Sequence, residues 1–230
     1  MRGVHIAGRP RALLLVCAIT SVRAFSLPTR FFPAGPCPRL QLRGGAKEER
    51  SLSSRRDFSA TMTVTPTTAK VDCLKCMGDW YVQVAIPTPF DKTAHNGLEE
   101  YTWNEKKQRV DVKYTFNDGS FTGKQTVVYQ KGRVNSKVES GAQWQVKPWI
   151  GFFYLPMWLD YYIVDIDTTD YSYLVASSPE TTGFGAWMYI MTRQQVVTDE
   201  YLEPLRASAA NAGWDMTQAV RVPQQPTPAT

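Results

Sequence analysis

The chain has 230 residues, a formal charge of +5 and 12% aromatic residues, including seven Trp and eleven Tyr. Residues 1–47 hold eight Arg or Lys and no acid, so the total of +5 less this +8 leaves −3 on residues 48–230. One or two domains fit this length, and a body without net basic charge excludes nucleic acid as a partner, because nothing would neutralise the phosphates.

The leader comes first. Arg2, Arg9 and Arg11 precede the apolar run Ala12–Val22, and Val22-Arg23-Ala24 places small residues at cleavage-site spacing. This is the pattern of a secretory signal peptide over residues 1–24, and the run is too short to cross a bilayer. Phe25 follows, and residues 25–47 are rich in Arg and Pro and free of acid, as a transit peptide is. The combination resembles the bipartite plastid leader of algae with secondary plastids and implies a plastid destination. Ordinary secretion with a basic tail is the alternative. Ser54-Arg55-Arg56-Asp57-Phe58 looks like a twin-arginine motif, which would send the protein on to the thylakoid lumen. Residues 25–70 are assigned to transit peptide and linker, 71–222 to the folded domain and 223–230 to a tail.

From residue 78 the pattern is that of strands. Trp80, Val82, Val84 and Ile86 alternate with Tyr81, Gln83 and Ala85, a period of two. Pro87, Pro89 and Asn96-Gly97 mark the next stretch as a long loop. Strands are then expected at Leu98–Trp103, Arg109–Asn117, Ser120–Val134, Ala142–Lys147, Asp160–Asp167, Tyr171–Ser177 and Ala186–Thr192. Asn117-Asp118-Gly119 reads as a hairpin turn, since these residues tolerate positive φ. Residues 148–159 form a loop rich in aromatics. Asp199–Ala212 reads as a helix with Thr198 as N-cap, Gly213 as its stop, and Leu202, Leu205, Ala209 and Ala212 on one face. Pro204 requires a first-turn position, or a later helix start. Eight short strands and one helix predict an all-β fold, an eight-stranded antiparallel up-and-down barrel with a C-terminal α-helix. A sandwich with a C-terminal helix shares the same alternation.

Gly78-x-Trp80, the run Tyr161–Val175 with Ser178-Pro179, Trp187–Arg193, and Asn211–Asp215 followed by Pro223-Gln224-Gln225 occur in an order that resembles the lipocalins. They are most similar to the bacterial lipocalin and apolipoprotein D branch, and the likeness spans residues 73–225. It implies a barrel whose cavity binds a small hydrophobic molecule, such as a fatty acid, an oxidised lipid or a carotenoid. It also marks Gly78, Trp80, Asp165 and Arg193 as a structural signature, with Trp80 at the closed end and Arg193 lying across its ring. Two departures stand out. No lipobox cysteine follows the signal peptide, and Cys73-x-x-Cys76 is not part of the usual pattern.

The alternation marks Tyr101, Trp103, Val112, Tyr114, Phe116, Trp144, Tyr173 and Tyr189 as candidate cavity-lining residues. A filled core is the plainer reading of the same stripe. Cys73 and Cys76, the only cysteines of the body, are a local disulfide or two free thiols; with the single body histidine, His95, they cannot complete a zinc site. His95 is expected in an exposed loop. Asp165 and Asp167 share a strand face on which paired-carboxylate chemistry is conceivable. No catalytic residue, metal or cofactor is assigned. The aromatic 148–159 loop is a candidate membrane-surface contact. The alternatives to a carrier are a lipocalin-fold enzyme similar to violaxanthin de-epoxidase and a protein or membrane interaction module.

Overall fold

The computed structural model describes residues 64–179 and 185–226. The signal peptide, the twin-arginine motif, most of the transit-like stretch and the last four residues of the tail lie outside them. The strands are β1 (Gly78–Ile86), β2 (Ala94–Asn104), β3 (Arg109–Asp118), β4 (Gln125–Val134), β5 (Gln143–Pro148), β6 (Leu159–Ile166), β7 (Tyr173–Ser178) and β8 (Trp187–Thr192). Each pairs antiparallel with the next, and β1 pairs with both β8 and β2, which closes the barrel. Closure removes the exposed edges that an open sheet would present. A helix, α1 (Asp199–Asn211), follows, and a ninth strand, β9 (Val220–Arg221), adds to β1. Two residues are too short to register as a period, so the expected count of eight omits β9.

The core has two compartments. Trp80, Val82, Tyr101, Tyr114, Phe116, Trp144, Tyr161 and Met191 belong to the barrel interior. Val84, Ile86, Val164, Val175, Met188 and Ile190 form a second cluster outside the barrel with Leu202, Leu205 and Ala209 of α1 and with Trp214, which follows the helix. Coverage on both faces explains why β7 and β8 are buried almost throughout.

Three register shifts break the simple alternation. In β1 the shift lies between Val82 and Val84. Trp80, Val82 and Ala85 therefore point inward while Val84 and Ile86 point to α1, correcting the expected single face. Buried Gln83 occupies the irregularity. Its Nε2 donates to Thr192 Oγ1 (2.9 Å) and to the carbonyls of Gln194 and Gln195 (3.1 and 3.0 Å), and its Oε1 accepts from Arg221 Nη1 (2.9 Å). In β2 the shift lies between His95 and Leu98, with Asn96 at φ 50°. Asn96-Gly97 is thus a bulge inside a strand that begins at Ala94, not the end of a loop. The third shift, between Ile163 and Asp165, leaves Val164 facing α1.

The β3–β4 turn also differs from expectation. Asn117 and Asp118 still pair in the ladder, so the turn occupies residues 119–124, with Gly119 at φ 74°. The helix is capped by Thr198 Oγ1, which accepts from Tyr201 N–H (3.3 Å). Pro204 lies beyond the first turn, yet the helix starts at Asp199. Packing of Leu202 and Leu205 on the barrel outweighs the one missing amide bond. Gln224 and Gln225, expected in the tail, are bonded to the barrel: Gln224 Nε2 donates to the Val82 and Gly97 carbonyls (2.8 and 3.0 Å).

Candidate functional site

One end of the barrel is closed by the 3-10 turn Cys73–Cys76 and Trp80. Trp80 Nε1 donates to the Cys76 carbonyl (2.8 Å), and the Arg193 guanidinium stacks 3.6 Å above the Trp80 ring. Arg193 also donates to the carbonyls of Tyr171, Asp79, Lys75 and Met77 at 2.8–3.2 Å. A planar fork with five N–H groups suits this task where an ammonium would not. Gly78 sits beneath it at φ 100°, and a Cβ there would lie 3.3 Å from Arg193 Nη1. Cys73 and Cys76 are free thiols. Burial pushes their pKa values up to about 11 and about 12, so both stay protonated and poorly nucleophilic.

Inside the barrel the rings form a chain. Tyr101 meets Trp144 at 6.2 Å, Trp144 stacks on Tyr161 at 5.6 Å, and Tyr161 meets Trp187 at 5.6 Å. Trp187 then meets Tyr189 at 4.8 Å, Tyr189 meets Tyr114 at 5.8 Å, and Tyr114 meets Phe116 at 5.1 Å. Apart from half-buried Trp187, each of these residues retains 5% or less of its accessible surface. The space between them is therefore largely occupied by side chains.

Two acids are buried among these rings. Glu99, 2% exposed, accepts from Tyr101 OH (2.6 Å), and the Tyr101 and Tyr161 hydroxyls are 2.7 Å apart. Burial raises the Glu99 pKa to about 7; the Tyr101 hydrogen bond opposes this and the charge of Asp91 adds to it. Asp91 reaches in from the β1–β2 loop and accepts from Tyr189 OH (2.5 Å), Tyr114 OH (3.5 Å) and Thr88 Oγ1 (2.6 Å). Burial first, then the nearby acids, hold the Tyr101, Tyr114 and Tyr189 phenols protonated, so they serve as donors.

The sequence-marked residues divide. Tyr101, Val112, Tyr114, Phe116, Trp144 and Tyr189 lie in the interior, and Trp103 packs half-buried against it. Tyr173 does not: it packs in the outer compartment, with Asp165 among the groups raising its pKa after burial. β7 alternates regularly, with Leu174 and Ala176 inward and Tyr173 and Val175 outward, so the face expected for Tyr173 is reversed; apolar residues on both faces hide which one is inside. Asp165 accepts from the Ile166 N–H (2.8 Å). Asp167 lies beyond β6 and accepts from the amides of Thr169, Asp170 and Ser172, which with the Ser172 hydroxyl hold its pKa low. The two aspartates therefore form no acid/base pair. His95 belongs to β2, not a loop; its Nδ1 is 3.0 Å from the Thr93 carbonyl and its ring meets Phe121 edge-on. Sequence reasoning missed Glu99, Asp91, Tyr161 and Trp187. Glu99 shares the parity of Tyr101 and Trp103, which was the available signal; Asp91, in a loop, gave none. Among the described residues no three His, Cys, Asp or Glu side chains stand close enough to hold a metal ion.

A closed antiparallel barrel with a packed helix and an arginine-covered tryptophan at one end is the arrangement of a lipocalin. Residues 71–224 match the lipocalin-like domain, and the chain belongs to that family. No curated protein matches the sequence. Many solved structures share the fold, three of which follow. Insecticyanin from the tobacco hornworm Manduca sexta has a TM-score of 0.55 and 12% identity, over 72% of this chain and 85% of its own. Lobster apocrustacyanin A1 has a TM-score of 0.50 and 18% identity, over 72% and 92%. The cockroach allergen Per a 4 has a TM-score of 0.51 and 16% identity, over 72% and 96%. At such identities the likeness carries the fold alone.

Proposed function

We propose that the protein is a carrier that encloses a small hydrophobic molecule in its barrel. The observation that supports this is the buried pair of acids among the interior rings. A core built only for stability gains nothing from a carboxyl group without a cation, since burial penalises the charged form. Polar groups aimed into an apolar barrel are what orient a ligand. Each buried CH₂ contributes about 0.8 kcal/mol, so a long apolar chain gains on the order of 10 kcal/mol gross, and ordering costs bring the expected affinity near micromolar. Titration with a retinoid or carotenoid tests this. Saturable quenching that weakens in Trp144→Phe supports a carrier; no quenching by any apolar ligand contradicts it.

We further propose membership of the bacterial lipocalin and apolipoprotein D-like branch and a plastid destination. The Asn211–Asp215 and Pro223–Gln225 segments support the branch, and the acid-free basic leader supports the destination. Fusing residues 1–70 to a fluorescent protein tests the latter; uniform secretion would contradict it.

A second role has its own observation. In the 149–158 loop, Phe152 is 67% and Phe153 54% exposed, and Ile150 and Met157 are exposed beside them. A basic collar borders the loop: Lys131 lies over the Tyr154 ring, and Arg133 and Lys147 over the Trp158 ring. Apolar side chains ringed by cations suit an anionic lipid surface.

A further inference from the structure

Asp91 and Glu99 are the only charged side chains buried among the described residues; no Lys, Arg or His is buried. Their phenol partners come from round the barrel, Tyr101 from β2, Tyr114 from β3 and Tyr189 from β8, and Tyr161 of β6 is bonded in turn to the Tyr101 hydroxyl. Arg193 stands over Trp80 at the closed end with its donors engaged by four carbonyls. An entering carboxylate would thus meet two acids in a low-dielectric space with no counter-cation, and like charges there repel strongly. The two acids are unequally satisfied. Asp91 has three hydroxyl donors, whereas Glu99 has the single donor Tyr101. Glu99 therefore has acceptor capacity left for a ligand.

We propose that the ligand of this barrel has a hydrogen-bond-donating head group without negative charge, a hydroxyl or an ammonium, which donates to Glu99, and that carboxylate-headed ligands are rejected. The inference rests on the carrier reading and replaces the fatty acid among its candidate ligands. A hydroxyl finds an acceptor in Glu99 in either protonation state. An ammonium gains in addition when Glu99 is ionised, and Asp91 strengthens that preference.

Matched amphiphiles test it: dodecanol, dodecylamine and dodecanoate, each titrated into the purified protein at pH 8 with tryptophan fluorescence as the readout. The expected result is at least tenfold weaker binding of dodecanoate than of the other two. The amine-to-alcohol ratio then identifies the head group. Glu99→Gln and Asp91→Asn are expected to shrink the discrimination against dodecanoate. Should either variant fail to fold, the wild-type protein still answers, because dodecanoate affinity is expected to fall between pH 6 and pH 8 as Glu99 ionises. Groups facing Glu99 in that range are Asp91 and the phenols of Tyr101, Tyr114, Tyr161 and Tyr189, and the phenols stay protonated. Dodecanoate binding as tightly as dodecanol, or discrimination unchanged in both variants and with pH, overturns the inference and leaves the carrier reading standing. Failure of all three amphiphiles to bind overturns both.

Discussion

Glu99 sits in the barrel at the cost of its own ionisation. Its pKa of about 7 lies above the ordinary value of 4.5. Below 4.5 the carboxyl is protonated in folded and unfolded chains alike. As the pH rises through 4.5 towards 7, the unfolded chain ionises first, so the stability that Glu99 contributes at low pH is lost over that window. Glu99→Gln keeps an acceptor for Tyr101 and removes the titration. Taking the wild type below pH 4 as the reference, the variant is expected to gain on it from pH 4.5 upward, by on the order of 3 kcal/mol at pH 8, measured by urea unfolding across pH; parallel pH curves for the two proteins contradict this. Arg193 is the opposite case, a charge with four hydrogen bonds to carbonyls. Arg193→Ala is expected to destabilise by about 3 kcal/mol, and Arg193→Lys to recover less than half of that, because an ammonium cannot both stack on Trp80 and reach four carbonyls. Full recovery by lysine would show that charge alone matters. These residues differ in legibility. Arg193 stands in a signature run readable in the sequence. Glu99 is an acid at an inward parity, a sign easily passed over beside Tyr101 and Trp103.

At the scale of elements, regular alternation was legible and its interruptions were not. Val110, Val112, Tyr114 and Phe116 in β3 follow a strict period of two, and all four are buried in the interior. In β1 the periodic residues run on unbroken through Val82, Gln83 and Val84, but the ladder shifts there, because Gln83 turns its amide to Thr192 and the 194–195 carbonyls. A shift of one residue exchanges inside for outside. Tyr173 has a different cause: β7 alternates regularly, but both its faces are covered, Leu174 and Ala176 inside and Tyr173 and Val175 outside, and a period of two does not say which face is which. The helix is anchored by Leu202, which is fully buried. Leu202→Ala is expected to cost about 3 kcal/mol through the cavity it leaves, read from chemical denaturation; a loss below 1 kcal/mol would mean that α1 is not structurally coupled to the barrel. The 149–158 loop bears on binding rather than stability. Phe152→Ala with Phe153→Ala is expected to leave the melting temperature within a degree or two and to reduce sedimentation with anionic vesicles at least tenfold. Undiminished sedimentation contradicts a membrane contact through this loop.

At the scale of the whole molecule, two surfaces fit one activity. Strands joined in sequence put the β1–β2, β3–β4 and β5–β6 loops at the end opposite Trp80. Asp91 closes inward from the first of these loops, and exposed Phe90, Phe121 and Phe152 belong to the three loops in turn. An apolar rim at the open end would let a ligand pass between a lipid surface and the barrel without crossing bulk water. The barrel itself was legible from the count of strands and the spacing of turns. The contents of its interior were not, because composition shows how many rings exist but not that they touch. The proposed function is carriage of a small apolar molecule by the barrel. It is tested most directly by native mass spectrometry of the protein purified from its source, followed by denaturation and identification of what is released. A single apolar species, chemically unchanged and bearing a hydroxyl or amine head, is expected. A barrel that is empty as isolated and takes up no apolar ligand afterwards would contradict it.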